Sequence, residues 1–107
     1  MTKKKKKHLE NVRISRECWN LDYSFCDWLN KHLKVFKRDA SKLINLEFHK
    51  YEYKGKEITQ LEVIDRLIEL TDYYIYTEDY LTDLDIDVEK VDEMLDLFKL
   101  VFYDLWW

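Results

Sequence analysis

The chain has 107 residues, with 18 Lys and Arg against 22 Asp and Glu, one Gly, no Pro and two Cys. That length suits one domain with a single core, and the scarcity of Gly and Pro excludes turn-rich all-β folds and phosphate-cradling glycine loops. Charge is uneven: residues 1–70 carry 16 basic and 11 acidic side chains, whereas residues 71–107 carry 2 basic (Lys90 and Lys99) and 11 acidic, which makes +5 followed by −9.

In chain order, residues 1–13 are expected to form a flexible basic tail built around Lys3–Lys7, and residues 14–107 a single helical domain. The first strong helix is predicted from about Asn20, a natural N-cap, to Arg38. At 100° per residue its apolar face takes Leu21, Phe25, Cys26, Trp28, Leu29, His32, Leu33 and Phe36. His32 is expected to be a satisfied core residue. Around 47–58, Tyr51 and Tyr53 precede Lys54-Gly55-Lys56, and the lone glycine suits the turn of a small β-hairpin.

Thr59-Gln60-Leu61-Glu62 reads as a capping box opening a helix to about Tyr76. Its apolar arc, from Leu61 through Ile64 and Leu67 to Ile75, covers nearly half the circumference, which places this helix centrally. After an acidic link, a last helix starts near Asp85–Asp87 and runs towards Trp107. Its expected core stripe is Val88, Val91, Met94, Leu95, Phe98, Val101, Phe102 and Leu105, with carboxylates on the opposite side. The fold class is therefore mainly α: a compact antiparallel bundle of three main helices, with a small hairpin expected at about 47–58.

No constellation for chemistry emerges. Asp83, Asp85 and Asp87 imitate the start of a calcium loop, but Val88 stands where Gly is needed and Met94 where Glu is needed, so helix capping is the expected role. The three histidines share no ligand spacing with each other or with either cysteine, and no metal or cofactor is expected. Carboxylate pairs lie on solvated faces, and no oxyanion-hole loop accompanies Cys18, Cys26 or His32, so an enzyme is not expected. Cys18 and Cys26 have no CxxC spacing, which suggests a reducing cytoplasm. No run approaches the roughly 20 apolar residues of a membrane span, and no apolar stretch follows Lys3–Lys7 to make a secretory signal.

Two surfaces remain. On the last helix, Glu89, Glu93 and Asp96 line the outward face, and Leu100, Tyr103 and Trp107 add an apolar stripe beside them, the pattern of a partner-binding surface. The alternative is nucleic-acid binding through Lys50, Tyr51, Tyr53, Lys54 and Lys56, with rings for bases and ammonium groups for phosphates, helped by Lys3–Lys7. A third reading buries Leu100, Tyr103, Trp106 and Trp107 across a symmetric homo-oligomer interface.

Glu17-Cys18-Trp19-Asn20-Leu21-Asp22, followed by a helix ending Leu33-Lys34-Val35-Phe36-Lys37, resembles a group of small phage-encoded helical proteins of unknown function. The shared features are a Trp-(Ser/Asn)-Leu-Asp element, a Leu-Lys-x-(Phe/Leu)-Lys segment and a later helix, over about residues 17–75. Prolines that follow the first helix in that group are absent here. The resemblance implies a phage or prophage gene. Abundant Lys and Tyr with a single alanine, Ala40, agree with an AT-rich Gram-positive genome. Together these features lead to the expectation of a cytoplasmic accessory protein of the host cell that binds a host or defence protein, for example inhibiting a nuclease in the anti-CRISPR manner.

Overall fold

The computed structural model describes residues 2–107, the side chain of Asp83 excepted. Four α-helices and one hairpin follow in the order α1 (Lys3–Cys18), α2 (Leu21–Ala40), β1 (Lys50–Tyr53), β2 (Lys56–Thr59), α3 (Gln60–Tyr80) and α4 (Val88–Val101). Short 3₁₀ turns at Asp83–Asp85 and Phe102–Asp104 flank α4. This is a mainly helical fold with a two-stranded antiparallel hairpin, as the sequence patterns require.

Local chemistry explains the boundaries. The Thr59 hydroxyl accepts from the Glu62 amide at 3.2 Å while the Glu62 carboxylate takes the Thr59 amide at 3.3 Å, so α3 opens with a complete capping box. Asp87 caps α4 through the Glu89 amide, and Asp85 accepts the Thr82 amide and hydroxyl. Those capping bonds hold the Asp85 carboxyl below its usual range. In the hairpin both turn residues, Lys54 (φ 51°) and Gly55 (φ 75°), have the positive φ of a two-residue type I′ turn. The ladder pairs Tyr51 with Ile58 and Tyr53 with Lys56.

Helix α3 is the centre of the molecule, with α2 and α4 packed antiparallel against it. The Asn30–Thr71 and Lys37–Asp65 contacts tie α2 to α3. On the other flank Arg66 grips Glu93 on α4. Leu29 and Leu33 from α2, Val63, Leu67 and Leu70 from α3, and Met94, Leu97 and Val101 from α4 form the main core. A smaller cluster of Ala40, Leu46 and Ile64 anchors the loop after α2. That loop also gives its Leu46 and His49 carbonyls to the first amides of α3, at 2.9 Å each.

Three features depart from the sequence expectations. The basic segment read as a tail lies within α1, a helix with no buried residue; Met1 lies outside the described residues. On α2 the buried stripe is Cys26, Leu29, Asn30 and Leu33, while Leu21, Trp28 and His32 face solvent. His32 is consequently not a core residue; it stacks on Trp28 at 4.2 Å and donates from Nδ1 to the Trp28 carbonyl at 2.7 Å. On α4 the stripe is Met94, Leu97 and Val101, and Val88, Leu95 and Phe102 are exposed. The helix is rotated because Glu93 and Leu100, not Leu95 and Phe102, flank the side that meets α3 and the hairpin.

The two thiols differ sharply. Cys18 is exposed, whereas Cys26 lies buried with its Sγ 3.9 Å from the Met94 sulfur. Burial, helped by the nearby negative charges of Asp22 and Glu78, pushes the Cys26 thiol from 9.0 up to about 12. The folded state thus holds that proton more tightly than the unfolded chain. Its contribution to stability is complete below pH 9 and is lost as pH rises towards about 12. Burial also raises the phenols of Tyr51 and Tyr74, each donating to a carboxylate, Asp104 and Asp22 respectively, which reinforces the same alkaline trend. Denaturant titrations should show stability falling steadily above pH 9. At neutral pH a thiol reagent should modify Cys18 alone until the protein is unfolded; rapid native labelling of both cysteines would contradict this packing.

Candidate macromolecule-binding surfaces

Helix α4 separates the predicted partner-binding residues into two groups. Glu89 and Asp96 are exposed, and Tyr103 is 83% exposed just beyond the helix. Spacings of seven residues each place Glu89, Asp96 and Tyr103 on one outward face, with Asp92 between the first two. Glu93 belongs elsewhere. Arg66 clasps it with two bonds, Nε to Oε2 at 2.7 Å and Nη2 to Oε1 at 2.9 Å, while Nη1 reaches Glu69 at 3.0 Å. This fork holds the Glu93 carboxyl below its usual range and the Arg66 guanidinium above its own. Glu93 therefore fastens α4 to α3 rather than facing a partner. Leu100 is half-buried against the core, so it does not join an outward stripe. Trp107 packs on Phe36 with ring centroids 5.5 Å apart and stays about half exposed.

Tyr103 has two exposed companions: Trp106, which the sequence already groups with it, and Phe48, which the sequence does not. Trp106 is 70% exposed and donates its indole N–H to the Tyr103 carbonyl at 3.0 Å, which fixes the chain end. Phe48, also strongly exposed, lines a cavity of about 450 Å³ with His49, Asp104 and both terminal tryptophans. Asp104 is well held there: Tyr51 donates to its Oδ2 at 2.7 Å and Gln60 donates to its carbonyl at 2.8 Å. A cluster of exposed rings on an anchored chain end supplies large contact area at little entropic cost. Only tertiary folding brings Phe48 to this end, so no spacing rule reveals it.

A second apolar feature opens between α2 and α4. Those helices meet through Phe25 and Phe98, centroids 5.7 Å apart, but beyond that contact they leave a groove of about 420 Å³. Trp28, His32, Val35, Phe36, Phe98, Phe102, Leu105 and Trp107 are among the side chains lining it.

The hairpin lysines Lys50, Lys54 and Lys56 are exposed, as a phosphate-contacting role requires. Their tyrosines are arranged differently. Tyr51 and Tyr53 are half-buried against the core and donate to Asp104 at 2.7 Å and Asp96 at 3.4 Å, so the rings serve the domain. Lys50 pairs with Glu57 at 3.3 Å. The larger basic surface is α1, which has seven basic side chains against Glu10 and Glu17 and no acid in its first turn.

Among the described residues no group of three or more His, Cys, Asp or Glu side chains converges as a metal site. Among the described residues no helix is long and apolar enough to cross a membrane. No family model, curated protein or solved structure matches the chain.

Proposed function

We propose that this chain is a phage or prophage accessory protein that acts by gripping another macromolecule, a basic host or defence protein, and not by catalysis. The observation carrying the reading is the outward face of α4: the exposed carboxylates of Glu89, Asp92 and Asp96 lead into the exposed rings of Tyr103 and Trp106. Carboxylates steer a basic surface into contact and accelerate association, while buried aromatic anchors supply most of the binding energy. A reducing cytoplasm suits two unpaired thiols, one of them exposed.

The test is capture of partners from a Gram-positive host lysate with the wild type and two surface variants. Tyr103→Ala with Trp106→Ala should weaken a captured partner by about 2 kcal/mol or more, roughly 30-fold. Asp92→Lys with Asp96→Lys should slow association and flatten its salt dependence. An identical set of captured proteins from all three would sink the proposal.

Nucleic-acid binding is the second reading, and the exposed basic helix α1 favours it more than the hairpin does. A gel shift that weakens steeply with salt and is lost when Lys3–Lys7 are neutralised would support it. No shift at low salt would remove it.

A further inference from the structure

The cavity at the C-terminal end contains an unmet acceptor. Gln60, the first residue of α3, is only 3% exposed and forms part of the cavity wall. Its Nε2 donates to the Asp104 carbonyl at 2.8 Å, which sets the two residues side by side. Among the described residues none donates to its Oε1. No enclosed side-chain nitrogen or oxygen among those residues lacks a partner, so this oxygen opens into the cavity. An amide oxygen held on a buried residue and facing a cavity without a donor is a place for a ligand to donate.

Asp104 supplies a second acceptor and the charge. Tyr51 donates to its Oδ2 at 2.7 Å, and His49 Nε2 stands 3.5 Å from the same oxygen, too far for a strong bond. Its Oδ1 has no donor among the described residues, and 27% of the side chain stays exposed. The remaining wall is Ile44, Asn45 and the rings of Phe48, His49, Trp106 and Trp107, without Lys or Arg. The negative charge therefore belongs to the cavity itself and has no cation in the wall to cancel it. These walls are also held in place. The Phe48 amide donates to the Asn45 carbonyl at 3.1 Å, the Gln60 amide donates to the His49 carbonyl at 2.9 Å, and Trp106 is tied to Tyr103.

Two acceptors, one of them charged, among aromatic faces select a flat cation with several N–H donors. A guanidinium meets each requirement, because its edge donates to carboxylate and amide oxygens while its face stacks on rings. An ammonium lacks the plane, and a quaternary ammonium lacks the donors. We propose that the cavity takes one arginine side chain, its guanidinium donating to Asp104 and Gln60 among the rings and its methylenes lying against Ile44. The arginine is one carried by the basic partner inferred above, so the site rests on that reading and gives it a residue type. It also adds Phe48, Gln60 and Asp104 to a surface otherwise set by α4 and the residues that follow it.

Arginine capped as its N-acetyl methylamide, titrated into the isotope-labelled full chain, tests the site through the four indole N–H resonances. Those of Trp106 and Trp107 should move saturably with a Kd of about 1 mM, and those of Trp19 and Trp28 should stay. Lysine capped in the same way, and choline, should each bind at least about fivefold more weakly. Asp104→Asn keeps an oxygen for the Tyr51 phenol but loses the charge, and should weaken arginine binding about tenfold. Phe48→Ala, at a position 83% exposed, leaves the core intact and should weaken it about threefold or more. Equal shifts at all four indoles, choline binding as tightly as arginine, or unchanged affinity in either variant would overturn the site. If capped arginine fails to bind while Tyr103→Ala with Trp106→Ala still loses a captured partner, the arginine site alone is wrong. If arginine binds as described while the captured proteins are identical for every variant, the partner-binding reading alone is wrong.

Discussion

Asn30→Asp should destabilise the protein by about 3 kcal/mol at neutral pH and by less than half of that near pH 4.5. Asn30 is buried on α2, and its Nδ2 donates towards three acceptors on α3: Thr71 Oγ1 at 2.9 Å, Asp72 Oδ1 at 2.9 Å and the Ile68 carbonyl at 3.3 Å. The Thr71 hydroxyl proton is already committed to the Leu67 carbonyl at 2.8 Å, so Thr71 can only accept from Asn30. An aspartate there presents oxygen to oxygen and sets a second negative charge beside Asp72. Lys34, 3.2 Å from Asp72, is half exposed and offsets little of this. The new carboxyl should titrate higher in the folded state than in the unfolded chain. Its penalty therefore grows as pH rises past the unfolded carboxylate value, about 4, and fades when the folded carboxyl is protonated and donates again. Urea titrations at both pH values measure this, and an equal loss at the two would show that the buried network is not what matters.

Leu97→Ala should cost about 3 kcal/mol and lower the melting temperature by about 10 °C or more, whereas Leu95→Ala should stay within about 0.5 kcal/mol. Leu97 is 1% exposed in the core between α3 and α4, and Leu95 is 50% exposed. The pair tests the rotation of α4 directly, since two leucines two positions apart lie on nearly opposite sides of a helix. Comparable losses from both would mean that the helix is turned the other way.

That rotation shows where sequence reasoning succeeds and where it stops. The start and central place of helix α3 are readable because Thr59 and Glu62 announce its first turn and its apolar arc is wide, while its end, read at about Tyr76, lies a turn further on at Tyr80. The hairpin follows from the one glycine, Gly55, set just after Tyr51 and Tyr53. In α4 almost every residue from Met94 to Phe102 is apolar apart from Asp96 and Lys99, so several stripes fit the helical period equally well. The stripe read from the sequence holds at Val91, Met94, Phe98, Val101 and Leu105, but it takes in the exposed Val88, Leu95 and Phe102, leaves out Leu97, and puts Glu93 and Leu100 on the surface. Their true roles depend on Arg66 and the core, which are distant in sequence. Asn30 was invisible for the same reason: a polar residue on an apolar face reveals its purpose only when Thr71 is brought to it. Helix α1 has good intrinsic helix formers but no apolar period strong enough to separate it from a charged tail.

Thr59 serves the hairpin and the central helix at once. It pairs with Lys50 in the ladder and caps α3 through the Glu62 amide, with no loop residue between strand and helix. The joint is therefore a rigid elbow and has no hinge. Tyr51 and Tyr53 tie the outer strand to Asp104 and Asp96 on the opposite side, so the hairpin is braced at both ends. A force applied to the turn at Lys54–Gly55 is carried along the axis of α3 and into the C-terminal end at the same time. In mechanical terms the hairpin is a handle: whatever holds it also sets the angle at which the aromatic end is presented.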